Sequence, residues 1–392
     1  MKRFKIILIV LLIIVISVAL FIYNVSKWLD SELSILDNKN IELNNGIVIK
    51  DKGLYLLQRS LRKGDLLLIG SSELSAPVEQ NPINMYPNSE LSVNVNKIGK
   101  AHRQSLLDAI MLGSLNTTPE DKIAILVSLQ WFEGSDIDKK GFQANFSELQ
   151  FLSFLKNEQI DNEAKKYVCL RLSELLSGEV TTTESCFWAA LNAKDNVLTK
   201  IGRGIFFPYY EFKYRMLLLK DKYDAYKFLK ETKEKEYVVQ KIDWNYAMSE
   251  AHEQGQKQCT NNNFFVYDEY YDKYLLGKIE KQLGRDKNKE LLNSKELGDY
   301  ELMLNISRAK NIKPYCVIMS TNGIYYDYIG LDRKKRDALY EYLKDRSKAH
   351  NIPYLELRPY EYEPYFYCDV MHLGWKGWIF VNEHISTYFS NS

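Results

Sequence analysis

Apolar positions along this chain fall into two rhythms. A run at Asp65–Ile69 stops at Gly70-Ser71-Ser72, and a longer one at Lys122–Leu129 (KIAILVSL) is continuous, which suits parallel strands covered on both faces. Between them, Ser105–Leu115 has helical spacing. The strand pattern resumes at Lys313–Ser320 and Pro353–Leu357, on either side of the charged stretch Arg333–Ala349 with its apolar Leu339, Tyr342 and Leu343. Strand, helix, strand in that order predicts a βαβ unit, so the fold class is α/β with a parallel sheet. Trp375–Phe389, apolar at Trp378, Ile379, Val381 and Ile385, predicts a closing helix. The section from about 147 to 306 is dense in Lys, Glu, Leu and Tyr, and Val168, Leu172, Leu175 and Leu176 recur at helical spacing. It predicts a helical insertion beside the sheet.

One run departs from both rhythms. No residue from Ile6 to Val25 is charged, and about 20 apolar residues in a helix cross a bilayer core of roughly 30 Å. A cleaved signal peptide has a shorter apolar region ending in a small-x-small site, whereas Ser17-Val18-Ala19 lies mid-run, so an uncleaved anchor is expected. Lys2, Arg3 and Lys5 precede the run, while Lys27 after it is mixed with Asp30, Glu32 and Asp37, which places the N-terminus in the cytoplasm. The expected organisation is a cytoplasmic N-terminus (1–5), a single-pass membrane anchor (6–25), a juxtamembrane stalk (26–60) and an extracellular catalytic domain (61–392).

With 52 Lys+Arg against 51 Asp+Glu, the net charge of +1 gives no footprint for nucleic acid. The five cysteines, Cys169, Cys186, Cys259, Cys316 and Cys368, show no C-x-x-C spacing, so neither a zinc site nor a redox motif is indicated, and disulfide pairing stays open.

Two distant motifs carry candidate chemistry. A strand that breaks at a glycine and then a serine holds a hydroxyl up for attack in α/β hydrolytic folds. Ser72 is therefore the candidate nucleophile, with Ser71 as the alternative. Near the C-terminus, Asp369 and His372 are spaced so that a tight turn sets the carboxylate beside the imidazole. A serine needs such a base, and the base needs such an acid. Taken singly, each motif has a plainer reading: Ser71-Ser72-Glu73 as a helix start, and Asp369 as a cap. His102, His252, His350 and His384 lack a comparably placed acid in sequence, though His102 follows Gly99 in a candidate site loop. Asn322-Gly323 signals a turn, with Tyr325, Tyr326 and Tyr328 expected to pack near the site.

Together these residues resemble the SGNH/GDSL family of serine esterases and acyltransferases. Adding Ser128-Leu129-Gln130-Trp131-Phe132, Ser320-Thr321-Asn322-Gly323-Ile324-Tyr325-Tyr326-Asp327 and His372-Leu373-Gly374-Trp375-Lys376-Gly377-Trp378 makes the chain look like the membrane-anchored proteins of teichoic acid D-alanylation in Gram-positive bacteria. The resemblance implies a three-layer SGNH-like sheet and a triad of Ser72, His372 and Asp369. It implies an oxyanion hole that includes a glycine N–H, for which Gly99 is the candidate. The family's asparagine donor has no counterpart, since no Gly-x-Asn-Asp block follows Ser128; Gln130 occupies that neighbourhood. It further implies D-alanyl transfer to a teichoic acid acceptor, without metal or organic cofactor. Implied partners are a membrane acyltransferase channel protein and its small companion peptide, with the carrier protein kept on the cytoplasmic side. The alternatives are an esterase or O-acetyltransferase acting on wall glycan, and a non-catalytic scaffold.

Overall fold

The computed structural model describes residues 2–86, 91, 93–236 and 241–391. Five parallel strands form one sheet: β1 (Leu66–Ile69), β2 (Val95–Ile98), β3 (Ile123–Ser128), β4 (Tyr315–Met319) and β5 (Tyr354–Glu356), in the spatial order β2-β1-β3-β4-β5. Register is fixed by pairs such as Ile69 with Ile98, Ile69 with Ile125 and Ile125 with Cys316.

The long helices in chain order are α1 (Lys2–Leu36), α2 (Ser105–Ser114), α3 (Glu148–Lys156), α4 (Asn162–Leu175), α5 (Thr183–Ala193), α6 (Val197–Glu231), α7 (Trp244–Gln258), α8 (Glu296–Ala309), α9 (Arg333–Ala349) and α10 (Trp375–Ser390). Because successive strand residues point to opposite faces, the sheet feeds two separate cores. Leu67, Ile69, Ile125, Val127 and Ile318 pack against α2, α8 and α9 on one side. Leu66, Leu68, Leu126, Val317 and Met319 pack under α10 and α7 on the other. The result is three layers with the sheet in the middle, and α3 to α7 form the helical insertion; residues 237–240 of that section lie outside the described residues.

Leu12–Leu36 of α1 is long and apolar enough to cross a membrane, with mean hydropathy 2.0. At its C-terminal end Leu29 and Leu33 are buried with Leu43, Leu56, Ala225 and Leu229. This small third core joins α1 to α6 and to the segment leading into β1.

Chain order reverses its direction of growth across β1: β2 lies on one flank and β3 on the other. In open α/β sheets the crevice outside the carboxyl ends of the strands at such a switch point is where ligands bind. Ser71 and Ser72 follow β1, Gly99 follows β2 and Gln130 follows β3, so the fold brings these loops together at that edge.

Candidate active site

Ser72 opens a single 3-10 turn, Ser72–Ser75, directly after β1 and Gly70. The turn is held from below. Lys97, buried on β2, donates to the Leu74 carbonyl at 3.1 Å and to Asn81 Oδ1 at 2.9 Å, and burial pushes its ammonium pKa down to about 8. Gly99 lies so close to the turn that an added Cβ would sit 2.6 Å from the Ser71 carbonyl oxygen and 2.8 Å from Leu74, which only glycine avoids.

The candidate acid and base, Asp369 and His372, come from a closed loop near the C-terminus. Tyr367 and Leu373 form an antiparallel bridge, and the Cys368 N–H donates to the His372 carbonyl at 3.0 Å. Asp369 Oδ1 caps the turn inside, accepting the Met371 and His372 N–H groups at 2.9 and 2.8 Å. Gly374 then passes so near Tyr367 and Cys368 that a Cβ would meet their backbone at 2.6–2.7 Å. Asn322 braces the loop from the β4 side: its N–H donates to the Val370 carbonyl at 3.1 Å, while its own side chain caps Gly323–Tyr328. The Asn-Gly block therefore buttresses the loop, and Tyr326 is buried there with its hydroxyl donating to Glu133 at 2.9 Å.

These two constructions meet. Ser72 Oγ lies 3.0 Å from His372 Nε2, and His372 Nδ1 lies 2.7 Å from Asp369 Oδ2. Ser72 is half-buried and Asp369 buried, so the chain of contacts is shielded yet reachable through the serine. Burial alone lowers the imidazole pKa, but the charge and hydrogen bond of Asp369, helped by the charge of Glu73, more than reverse this and leave it above 6.5. Ser71, by contrast, is buried and its hydroxyl donates to the Lys100 carbonyl at 3.1 Å. Gln130 sits in the 3-10 turn after β3, and its Nε2 is buried with no hydrogen-bond partner among the described residues.

Glu73 is the neighbour that sequence reasoning missed. Its carboxylate is buried beneath the turn and accepts the Ser71 N–H at 2.6 Å. Burial raises its pKa, against the pull of His372, two backbone N–H groups and the Ser128 hydroxyl. Its adjacency to Ser72 was visible, but a glutamate one turn into a helix start usually faces water.

Other sequence candidates lie apart from this centre. His102 is exposed, 3.9 Å from Asp138. His350 does have an acid, Glu301, at 2.7 Å; it comes from α8 and so was invisible in the local sequence. All five cysteines are free. Cys368, beside Asp369, is buried, and desolvation together with that carboxylate holds its thiol well above the usual range, which makes it inert as a nucleophile.

A cavity of about 330 Å³ opens beside Ser72, lined among others by Asp51, Lys52, Gly99, Lys100, Arg103 and Asn145. Asp51 is engaged by Lys50 at 2.8 Å and Arg103 by Asp108 at 2.7 Å. Neither Lys52 nor Lys100 makes an ion pair among the described residues, and Lys52 is lowered in pKa first by burial and then by the charge of Lys100. The wall next to the serine thus carries two uncompensated cations.

A parallel sheet sandwiched by helices, with the serine at the carboxyl end of β1 and an Asp-x-x-His loop before the last helix, defines an SGNH-like α/β protein with a helical insertion. The DltD protein family model matches residues 48–390. The chain is 30% identical over 347 residues to Protein DltD of Bacillus subtilis (strain 168), covering 86% of each. It is 26% identical over 328 residues to that of Staphylococcus aureus (strain NCTC 8325 / PS 47), covering 82% of this chain and 80% of the relative. Against the Lacticaseibacillus rhamnosus protein the identity is 23% over 349 residues, covering 87% and 81%. The chain belongs to the DltD family.

Proposed function

We propose that this chain is a membrane-anchored serine acyltransferase that moves D-alanyl groups onto teichoic acid hydroxyls, with its catalytic domain outside the cell. The observation that carries the reading is the relay of Ser72, His372 and Asp369, spaced at 3.0 and 2.7 Å at the carboxyl edge of the sheet. Membership of the DltD family supplies the substrate class, teichoic acid D-alanylation.

In the first half-reaction His372 Nε2 takes the Ser72 proton as Oγ attacks the carbonyl of a D-alanyl ester or thioester. The negative charge that develops on the carbonyl oxygen falls to the Ser72 and Gly99 N–H groups and the free amide of Gln130; a single such donor is worth about 2.7–4 kcal/mol. The imidazolium then protonates the departing alcohol or thiol, leaving D-alanyl-Ser72. In the second half the neutral imidazole takes a proton from an acceptor hydroxyl, the new ester forms, and Ser72 Oγ recovers the proton. Water in place of the acceptor gives hydrolysis. On this reading the chain works beside the membrane acyltransferase channel protein and its small companion peptide, as the family resemblance implies.

The test is covalent capture. Purified full-length chain incubated with a D-alanyl thioester and quenched in acid should carry a D-alanyl group on the peptide containing Ser72, read by mass spectrometry. Acetyl capture from an acetyl ester, with no D-alanyl adduct, would favour the wall-glycan reading, and no adduct from either donor would sink covalent catalysis.

The two unpaired lysines fit an acceptor that is a polyanion. Replacing both, Lys52→Gln with Lys100→Gln, should raise KM for a glycerol phosphate oligomer at least about a hundredfold, since charge-assisted contacts are each worth roughly 1.5–3 kcal/mol and about 1.4 kcal/mol is tenfold. Turnover of a neutral p-nitrophenyl ester should be unchanged. Equal losses on both substrates would assign the lysines to the fold instead.

A further inference from the structure

The loop after β2 carries a charge that the relay of Ser72, His372 and Asp369 does not use. Arg103 lines the Ser72 cavity, and its side chain is 4% exposed. Its Nε donates to Asp108 Oδ1 at 2.7 Å, while Nη2 has the Met111 sulfur at 3.2 Å. Nη1 makes no hydrogen bond among the described residues, and it is not sealed off from solvent. A guanidinium presents five N–H donors in a fixed fork, so this one is built into the fold and left partly unused. The opening that it reaches is the cavity beside Ser72.

Lys52 and Lys100 line the same cavity, and burial followed by the charge of Lys100 holds the Lys52 ammonium below its usual range. An anion between two such cations relieves their repulsion. All three cations are set by backbone contacts near the relay. The Lys100 carbonyl accepts the Ser71 hydroxyl at 3.1 Å and the Arg103 N–H at 3.0 Å, and the Lys52 carbonyl accepts the Ser147 hydroxyl at 2.6 Å. The one carboxylate among the lining residues, Asp51, is already met by Lys50 at 2.8 Å. The cavity therefore has a net positive wall that includes one rigid, buried fork.

We infer that Arg103, with Lys100 and Lys52, forms a phosphodiester subsite in the Ser72 cavity, and that this subsite sets which hydroxyl of the acceptor chain reaches Ser72. A planar fork takes two oxygens of a phosphate at once, whereas an ammonium acts as a point charge. Arg103 thus fixes where the phosphate sits, and the lysines add attraction. Because the Lys100–Arg103 turn is bonded to Ser71, a phosphate gripped there keeps a constant distance from the Ser72 hydroxyl. In a polyol phosphate chain each free hydroxyl lies a few bonds from the nearest phosphorus, so a fixed phosphate presents that hydroxyl and leaves a neutral polyol unplaced. The inference deepens the proposed acyl transfer and rests on its reading of the acceptor as a phosphate polymer.

The test measures binding to the full-length Ser72→Ala chain by calorimetry, so that acyl transfer plays no part. A glycerol phosphate oligomer should bind, inorganic phosphate should displace it, and a neutral oligoglycerol of equal length should bind at least about tenfold more weakly. Arg103→Lys on that chain keeps a positive charge opposite Asp108 but loses the fork, so the oligomer should bind about tenfold more weakly with the melting transition retained. Asp108→Asn should act in the opposite direction: its amide oxygen still accepts the Nε–H, the competing negative charge is gone, and the oligomer should bind more tightly. If Arg103 served only as the partner of Asp108, both substitutions would shift the melting transition and leave oligomer affinity unmoved, which overturns the inference. An oligomer that binds no better than oligoglycerol, with Arg103 and Asp108 intact, overturns it too, whether or not either variant folds. D-alanyl capture on Ser72 in the native chain with no phosphate preference would leave the acyltransferase reading standing and end this one, whereas phosphate preference without capture would do the reverse.

Discussion

Cells whose only copy of this protein carries Ser72→Ala should show cell-surface D-alanine esters reduced to the level of a deletion strain, with the protein still folded and membrane-bound. The substitution removes one oxygen from a half-buried side chain whose contact is His372 Nε2 at 3.0 Å, so the fold loses almost nothing. The β1 turn is held by Lys97, Asn81 and Glu73, none of which touches that oxygen. The chemistry loses its nucleophile, and removing the nucleophile of a Ser-His-Asp unit costs on the order of 10⁶ in rate. The Ser71 hydroxyl is not placed to substitute, since it is turned to the Lys100 carbonyl. The same variant separates catalysis from scaffolding. A scaffold needs only the surface of the domain, so D-alanine esters retained at wild-type level in Ser72→Ala cells would refute the acyltransferase reading outright.

The sheet was legible wherever strands are lined by hydrocarbon on both faces. β1, β3 and β4 are completely buried, and their apolar runs announce them. β2 was not legible, for a physical reason: its sequence, VNKI, buries Asn96 and Lys97. Polar residues in an edge strand read as loop, yet here Lys97 is the post that supports the Ser72 turn. Its value is local to a contact that forms only once β1 and β2 are side by side. Ser72, Asp369 and His372 were readable because each sits at a sequence-visible break, a strand end or the start of a closing helix. Partners supplied across the fold were not: Glu301 for His350, Asn322 for the Val370 carbonyl, and the burial that makes Glu73 a neighbour of His372.

Asp369→Asn is expected to lower ester turnover by about 10⁴ while leaving the fold intact. The turn survives because the Asn oxygen can still accept the Met371 and His372 N–H groups, as Asp369 Oδ1 does at 2.9 and 2.8 Å. What changes is the atom that faces His372 Nδ1. Asp369 Oδ2 at 2.7 Å accepts the Nδ1 proton, so Nε2 is left bare toward Ser72. An amide donates there instead, the proton moves to Nε2, and the ring can no longer receive the serine proton. The pH profile gives an independent readout. In the native chain burial lowers the His372 pKa, while Asp369 and then Glu73 raise it above 6.5, so kcat/KM should climb as the imidazole loses its proton and level off above that value. Asp369→Asn removes the largest raising influence, and the residual activity should therefore titrate with a midpoint below the native one. Glu73→Gln should move the midpoint the same way by a smaller amount and without the tautomer loss, because the amide oxygen of the new side chain can still accept the Ser71 N–H. An Asp369→Asn protein that keeps its rate within about tenfold of native and its midpoint unchanged would show that the carboxylate does not orient the base.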